Sequence, residues 1–229
     1  MLPEARRRAY LEALQIDVWR PRGEAQAGET QAGEPAATAE SPLLDWTALR
    51  ETVAACTRCG LHRGRTQTVF GVGSETADWM IVGEAPGAEE DRRGEPFVGR
   101  AGKLLDEMLA AVNLDRDTVF IANILKCRPP NNRDPSASEA AACRDYLDRQ
   151  IELIRPRLIL AVGRIAAHHL LETDAPIGRL RGRIHRLPGR ELPIVVTYHP
   201  AYLLRSPSQK GKAWQDLCLA RRVAEEASQ

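Results

Sequence analysis

The chain has 229 residues, 43% of them hydrophobic, enough for one sizeable core and a short appendage. Its formal net charge of +1 lacks the broad basic excess that marks many nucleic-acid binders. No apolar run approaches the roughly 18 residues of a bilayer span, and the basic start Met1–Arg8 has no apolar stretch behind it. Neither a membrane-spanning helix nor a secretory leader is expected, and a cytoplasmic setting is expected.

Taken in chain order, residues 4–16 place Leu11, Leu14 and Tyr10 on one face and predict a short helix. From Arg22 to Glu40 there is no large apolar residue, so this stretch cannot offset its ordering entropy and reads as a flexible linker. Residues 1–40 thus form an N-terminal extension and residues 41–229 the folded domain. Ser41 and Pro42 suit an N-cap and first helical position, opening a helix through about Ala55. Short β-rich apolar runs then appear at Trp79–Val82, Val119–Leu125, Leu158–Val162 and Pro193–Thr197. Between and after them lie helical stretches at Lys103–Val112, Glu139–Ile154, Arg164–Leu171 and Ala213–Glu226, the second opened by a Ser136 to Glu139 capping box. Near-continuous apolar strands alternating with helices predict an α/β fold, a mostly parallel sheet with helices on both faces.

In such sheets ligands bind beyond the carboxyl ends of the strands. There the sequence offers Glu84 in Gly83-Glu84-Ala85-Pro86-Gly87, Asn123 near the end of the second strand, and His199 after the fourth. A carboxylate, an amide and an imidazole converge on one rim. Charge is also uneven. Acidic residues dominate 24–51, whereas 155–190 carry eight arginines (Arg155, Arg157, Arg164, Arg179, Arg181, Arg183, Arg186 and Arg190) against Glu172 and Asp174. That run reads as a solvated face or a phosphate-facing one.

Five cysteines without a leader argue against a disulfide framework. Cys56 and Cys59 form a CxxC pair, and Cys127 and Cys143 add two thiols, a set suited to zinc or to an iron–sulfur cluster. Cys218 sits in the last amphipathic helix and reads as packing. Gly71-Val72-Gly73 lacks the third glycine of a dinucleotide fingerprint, and Gly94–Lys103 lacks Walker spacing. His168 and His169 have no ligand partner at helical spacing. Glu89-Glu90-Asp91 reads as a solvated acidic turn rather than a metal cluster.

Four segments together carry a resemblance: Gly83 to Asp91 (GEAPGAEED), Pro96 to Gly102 (PFVGRAG), Ala122 to Cys127 (ANILKC), and His199 to Arg205 (HPAYLLR). Over about residues 45–220 the chain resembles the family-four, iron–sulfur uracil-DNA glycosylases. The resemblance implies a three-layer α/β sandwich around a four-stranded, mainly parallel sheet, and hydrolysis of the N-glycosidic bond of uracil in single- or double-stranded DNA by a monomer. It also implies a [4Fe–4S] cluster on Cys56, Cys59, Cys127 and Cys143. In that reading Asn123 reads the flipped uracil and Phe97 stacks on it. His199 donates to uracil O2, Glu84 holds the attacking water, and the backbone around Ala85 and Gly87 touches the base. Leu203 and Leu204 wedge into the duplex, Arg205 meets phosphate, and the segment Arg181–His185 lines the DNA path. Ala85 and Gly87 stand where better-known uracil glycosylases carry a water-activating Asp and a thymine-excluding Tyr. Cys127–Cys143 contains no His for covalent trapping, so ordinary turnover is expected. The rival reading is an iron–sulfur DNA-binding or polymerase-associated module without the chemistry, which leaves the Glu84, Asn123 and His199 rim unexplained.

Overall fold

Apolar runs that must be shielded on both faces become the parallel centre of one sheet. A computed structural model of the protein describes residues 44–227. The predicted helix over 4–16 and the predicted linker over 22–40 lie outside the described residues. The strands are β1 (Val72–Gly73), β2 (Trp79–Gly83), β3 (Phe120–Asn123), β4 (Leu158–Val162), β5 (Ile184–Arg186) and β6 (Pro193–Thr197), in the order β1-β3-β2-β4-β6-β5. The four predicted strands are the central ones and pair in parallel.

The count of four is corrected to six, because β1 and β5 add antiparallel edges. Neither carries an apolar run that periodicity could detect. β1 is two residues long, with Val72 set between the positive-φ glycines Gly71 and Gly73, and β5 reads Ile-His-Arg with Ile184 51% exposed. Short edges and a cationic one also discourage pairing with a second chain.

Alternate strand residues feed two cores. Met80, Val82, Ala122, Ile159, Ala161, Ile194 and Val196 face α1 (Trp46–Ala54), α4 (Ala137–Ile154) and α5 (Arg164–Leu171). Trp79, Ile81, Ile121, Leu158, Leu160, Val162 and Val195 face α3 (Arg100–Ala110) and α8 (Lys210–Glu226). Two shorter helices, α2 (Ala88–Arg93) and α7 (Pro200–Arg205), follow β2 and β6, and α6 (Ile177–Leu180) precedes β5. The result is the three-layer sandwich expected.

Local chemistry explains the helix ends. The capping box of α4 is present, with Ser136 Oγ accepting from Glu139 N and Ser136 N donating to the Glu139 carboxylate. The first described helix begins later than Ser41-Pro42 suggested. Its N-cap is Asp45, whose carboxylate accepts from Ala48 N at 2.8 Å.

One buried ion pair ties the segment before β5 to α8. Arg181 donates to both oxygens of the fully buried Asp216, at 2.9 and 3.1 Å, and to Lys212 O at 2.6 Å. Gly182 N also donates to Asp216. Arg181 therefore acts as an internal strut, which corrects its expected place on the DNA path. Asp216→Ala would strand this guanidinium, and the expected loss is about 3 kcal/mol of unfolding free energy. Urea denaturation measures it, and an unshifted midpoint would show that the strut contributes nothing.

Candidate active site

Parallel pairing sets Gly83, the last residue of β2, opposite Asn123, the last residue of β3. The chain leaves both strands in step, with Ile124 N donating to Gly83 O and Leu125 N to Glu84 O. β6 ends beside β4 and delivers His199 as the N-cap of α7. These strand ends line a cleft of about 810 Å³ that also takes in Ala85, Gly87, Phe97 and Arg205.

Gly83 is required by crowding rather than by its backbone angles. A Cβ there would lie 2.4 Å from Asn123 Oδ1 and 2.6 Å from the tip of the Phe97 ring. Asn123 is 3% exposed and lines the cleft. Phe97 adopts φ 54°, a left-handed conformation that costs a bulky residue about 1–3 kcal/mol. Its ring stacks on the His199 imidazole at 5.6 Å between centroids and 29° between planes.

Burial acts on the two titratable groups in opposite directions. It pushes the Glu84 carboxyl up to about 7, helped by the negative charge of Asp134 and opposed by Arg164. It pushes His199 down to about 4, helped by the cation of Arg205 and opposed by Glu90. The imidazole is therefore neutral at neutral pH. Ala201 N donates to His199 Nδ1 at 3.1 Å, which makes Nδ1 the acceptor and leaves the proton on Nε2. The cleft thus holds an amide edge, an aromatic face, a neutral N–H donor and a carboxyl poised near neutrality.

Two readings of the cleft's surroundings need correction. Glu90 and Asp91 are not solvated. Glu90 accepts from the backbone N–H groups of Gly87, Val98 and Gly99, and buried Asp91 accepts from Thr66 N and Oγ1. Only Glu89 is exposed, paired with Arg92. Leu203, 1% exposed, is a core residue on the inner face of α7 and cannot serve as a wedge while α7 is packed. Leu204 is 38% exposed beside Arg205. Asp134 and Arg164, paired at 2.7 Å, also line the cleft and were missed. The strand-end rule could have found Arg164, which follows β4 directly.

Cys56, Cys59, Cys127 and Cys143 line one small second cavity, although Cys56-Cys59 and Cys127 lie on different loops and Cys143 on α4. Arg65 donates to Cys127 Sγ at 3.1 Å, Lys126 N to Cys143 Sγ at 3.3 Å, and Arg58 N to Cys56 Sγ at 3.5 Å. Donors aimed at sulfur favour thiolates, but burial outweighs them here, raising the Cys127 thiol and pushing the Cys143 thiol up to about 11. Among the described residues, no three His, Cys, Asp or Glu side chains are grouped to hold a single metal ion. Four cysteine sulfurs around a shared cavity are nonetheless a donor set that could hold a metal ion or an iron–sulfur cluster. Cys218 is half-buried on α8, away from this cavity.

A family profile described as the uracil DNA glycosylase superfamily matches residues 70–218. The chain is 48% identical over 161 residues to a protein of Archaeoglobus fulgidus named type-4 uracil-DNA glycosylase, covering 68% of this chain and 81% of the relative. Proteins of the same name resemble it in Pyrobaculum aerophilum, 43% identical over 77% of this chain and 93% of the relative, and in Thermotoga maritima, 45% identical over 70% and 83%.

The raised Glu84 carboxyl has a consequence for stability. Folding holds its proton between the unfolded value of about 4.5 and the folded value of about 7, so its contribution to stability is lost as pH rises through that window. Glu84→Gln is expected to lack this fall. The stability difference between variant and wild type, measured by chemical denaturation, should move in the variant's favour from about pH 5 to about pH 8. A pH-independent difference would contradict the assignment.

Proposed function

The chain belongs to the uracil DNA glycosylase superfamily, and from that premise we propose that it removes uracil from DNA by hydrolysing the N-glycosidic bond, leaving an abasic site. The observation that carries this reading is the convergence of Glu84, Phe97, Asn123 and His199 on one cleft at the strand ends. The enzyme works as a monomer in the cytoplasm, on single- or double-stranded DNA.

The target nucleotide leaves the base stack to reach a pocket of this depth. Phe97 supports one face of the flipped ring. The Asn123 amide donates to uracil O4 and accepts from N3–H; cytosine presents the reverse pattern and leaves a buried amide unpaired. As the C1′–N1 bond breaks, its electron pair moves onto the base and charge gathers at O2. The neutral Nε2–H of His199 is the donor held for that oxygen. The ionised form of Glu84, which grows in above about pH 7, faces the cationic sugar and takes the proton of the water that bonds to C1′. Ala85 and Gly87 leave the base room at the cleft wall, exposed Leu204 enters the gap in the stack, and Arg205 meets phosphate.

Cys56, Cys59, Cys127 and Cys143 would hold a [4Fe–4S] cluster, whose iron–thiolate bonds supply structural cross-linking between their segments. Lys126 carries the link toward the cleft: its backbone faces Cys143, and its buried ammonium donates to Asn123 O at 3.0 Å and Gln150 Oε1 at 2.7 Å. Purified protein is expected to contain iron and acid-labile sulfide in equal amounts. Cys143→Ser should lower both together with the thermal midpoint, and zinc found in their place would overturn the cluster.

The test of function is excision from a labelled oligonucleotide with one uracil, read by alkaline cleavage, with a thymine control. Cleavage confined to uracil is expected, and an intact uracil strand would reject the reading. Asn123→Ala should slow excision about 100-fold while DNA affinity stays within a few fold. Equal loss of both would remove Asn123 from base recognition.

A further inference from the structure

Phe97 is the only aromatic residue of positive φ among the described residues. The other non-glycine residues of positive φ are three asparagines and two helix C-caps, Arg155 and Glu172. An aromatic residue is held there only if its surroundings over-determine it. Behind the ring, away from the cleft, the surroundings do so. Arg116, in the turn between α3 and β3, donates through Nη2 to Pro96 O at 2.7 Å and through Nη1 to Phe97 O at 3.2 Å. The same Nη1 donates to Asp106 on α3 at 3.0 Å, which aims the fork.

The Phe97 carbonyl has no other place to go. The first turn of α3 packs so closely against it that a Cβ on Gly102 would lie 1.7 Å from Phe97 O. On the far side of Phe97, Glu90 holds the N–H groups of Val98 and Gly99. The peptide is pinned on both sides, and the ring is thereby directed at Gly83 and onto His199. Arg116 itself does not line the cleft.

We infer that Arg116 is a positioning residue for excision: its guanidinium fork clamps the carbonyls of Pro96 and Phe97 and so holds the Phe97 ring where the flipped base stacks. This rests on the proposed reading of Phe97 as the stacking residue. A planar fork with two N–H edges spans successive carbonyls, whereas an ammonium engages them as a single point charge. The half-exposed pair with Asp106 is by itself worth little to stability. A clamp therefore predicts a loss of rate larger than any loss of fold.

The experiment is a double-mutant cycle on the full chain. Single-turnover excision of uracil is measured at saturating enzyme for wild type, R116M, R116K, F97A and R116M/F97A. Affinity for uracil-free DNA and the thermal midpoint are measured alongside. R116M is expected to slow excision by about tenfold or more, since misplacing a group by about 1 Å can cost 100-fold, with DNA affinity within about twofold of wild type. R116K should fall between R116M and wild type. In the F97A background R116M should cost little further, because Arg116 acts through Phe97.

A full R116M penalty in the F97A background overturns the clamp, as does an R116M or R116K rate equal to wild type. So does a loss of rate matched by an equal loss of DNA affinity or folded protein. Wild-type protein that leaves uracil in DNA fails at the earlier step and overturns the function, and the clamp with it.

Discussion

The cleft depends on a close approach at the end of β2. Because Gly83 has no side chain, the Asn123 amide oxygen and the Phe97 ring both come closer to its backbone than a Cβ would permit. Parallel register brings Asn123 level with Gly83, and the loop after α2 brings Phe97 over it. The stack of Phe97 on His199 then joins the ends of β2, β3 and β6 into one surface. Any side chain at residue 83 would have to displace both the amide and the ring.

Around that contact the charges have been arranged by burial. The same desolvation that raises Glu84 to about 7 lowers His199 to about 4, because it disfavours whichever form is charged. The outcome is a carboxyl near its titration point beside an imidazole that remains a neutral donor. Asp134 and Arg164, paired with each other on the cleft wall, act on Glu84 with opposite sign. Arg205 and Glu90 oppose each other on His199 in the same way.

The machinery is held by polar braces that use carboxylates and cations as acceptors and donors for backbone. Glu90 gathers three N–H groups, Asp91 holds Thr66, and Arg116 takes two carbonyls. Lys126, 1% exposed, bridges Asn123 O to Gln150, and Gln150 donates to Phe70 O. A buried group with its hydrogen-bonding capacity met can specify a single loop conformation, which a purely apolar contact does less well. That matters at loops, where no strand or helix ladder fixes the backbone.

The sequence by itself determined the four central strands, the helices between them, the capping box of α4 and the strand-end residues Glu84, Asn123 and His199. Each rests on local pattern: apolar runs, helical spacing, and the rule that α/β ligands bind beyond the carboxyl ends of strands. It also grouped Cys56, Cys59, Cys127 and Cys143 as a candidate metal site through the CxxC pair, though only the resemblance pointed to a [4Fe–4S] cluster rather than zinc. Tertiary structure alone decided the rest. β1 and β5 exist because neighbouring strands offer free edges, not because Val72-Gly73 or Ile184-His185-Arg186 carries a strand pattern. Arg181, Glu90 and Asp91 look like surface charge in sequence. They prove internal because partners such as Asp216 and Thr66 arrive from distant segments. Leu203 and Leu204 are adjacent and chemically identical, yet one is core and the other exposed. The packing of α7 against α3 separates them, and no local rule encodes which way a six-residue helix will roll.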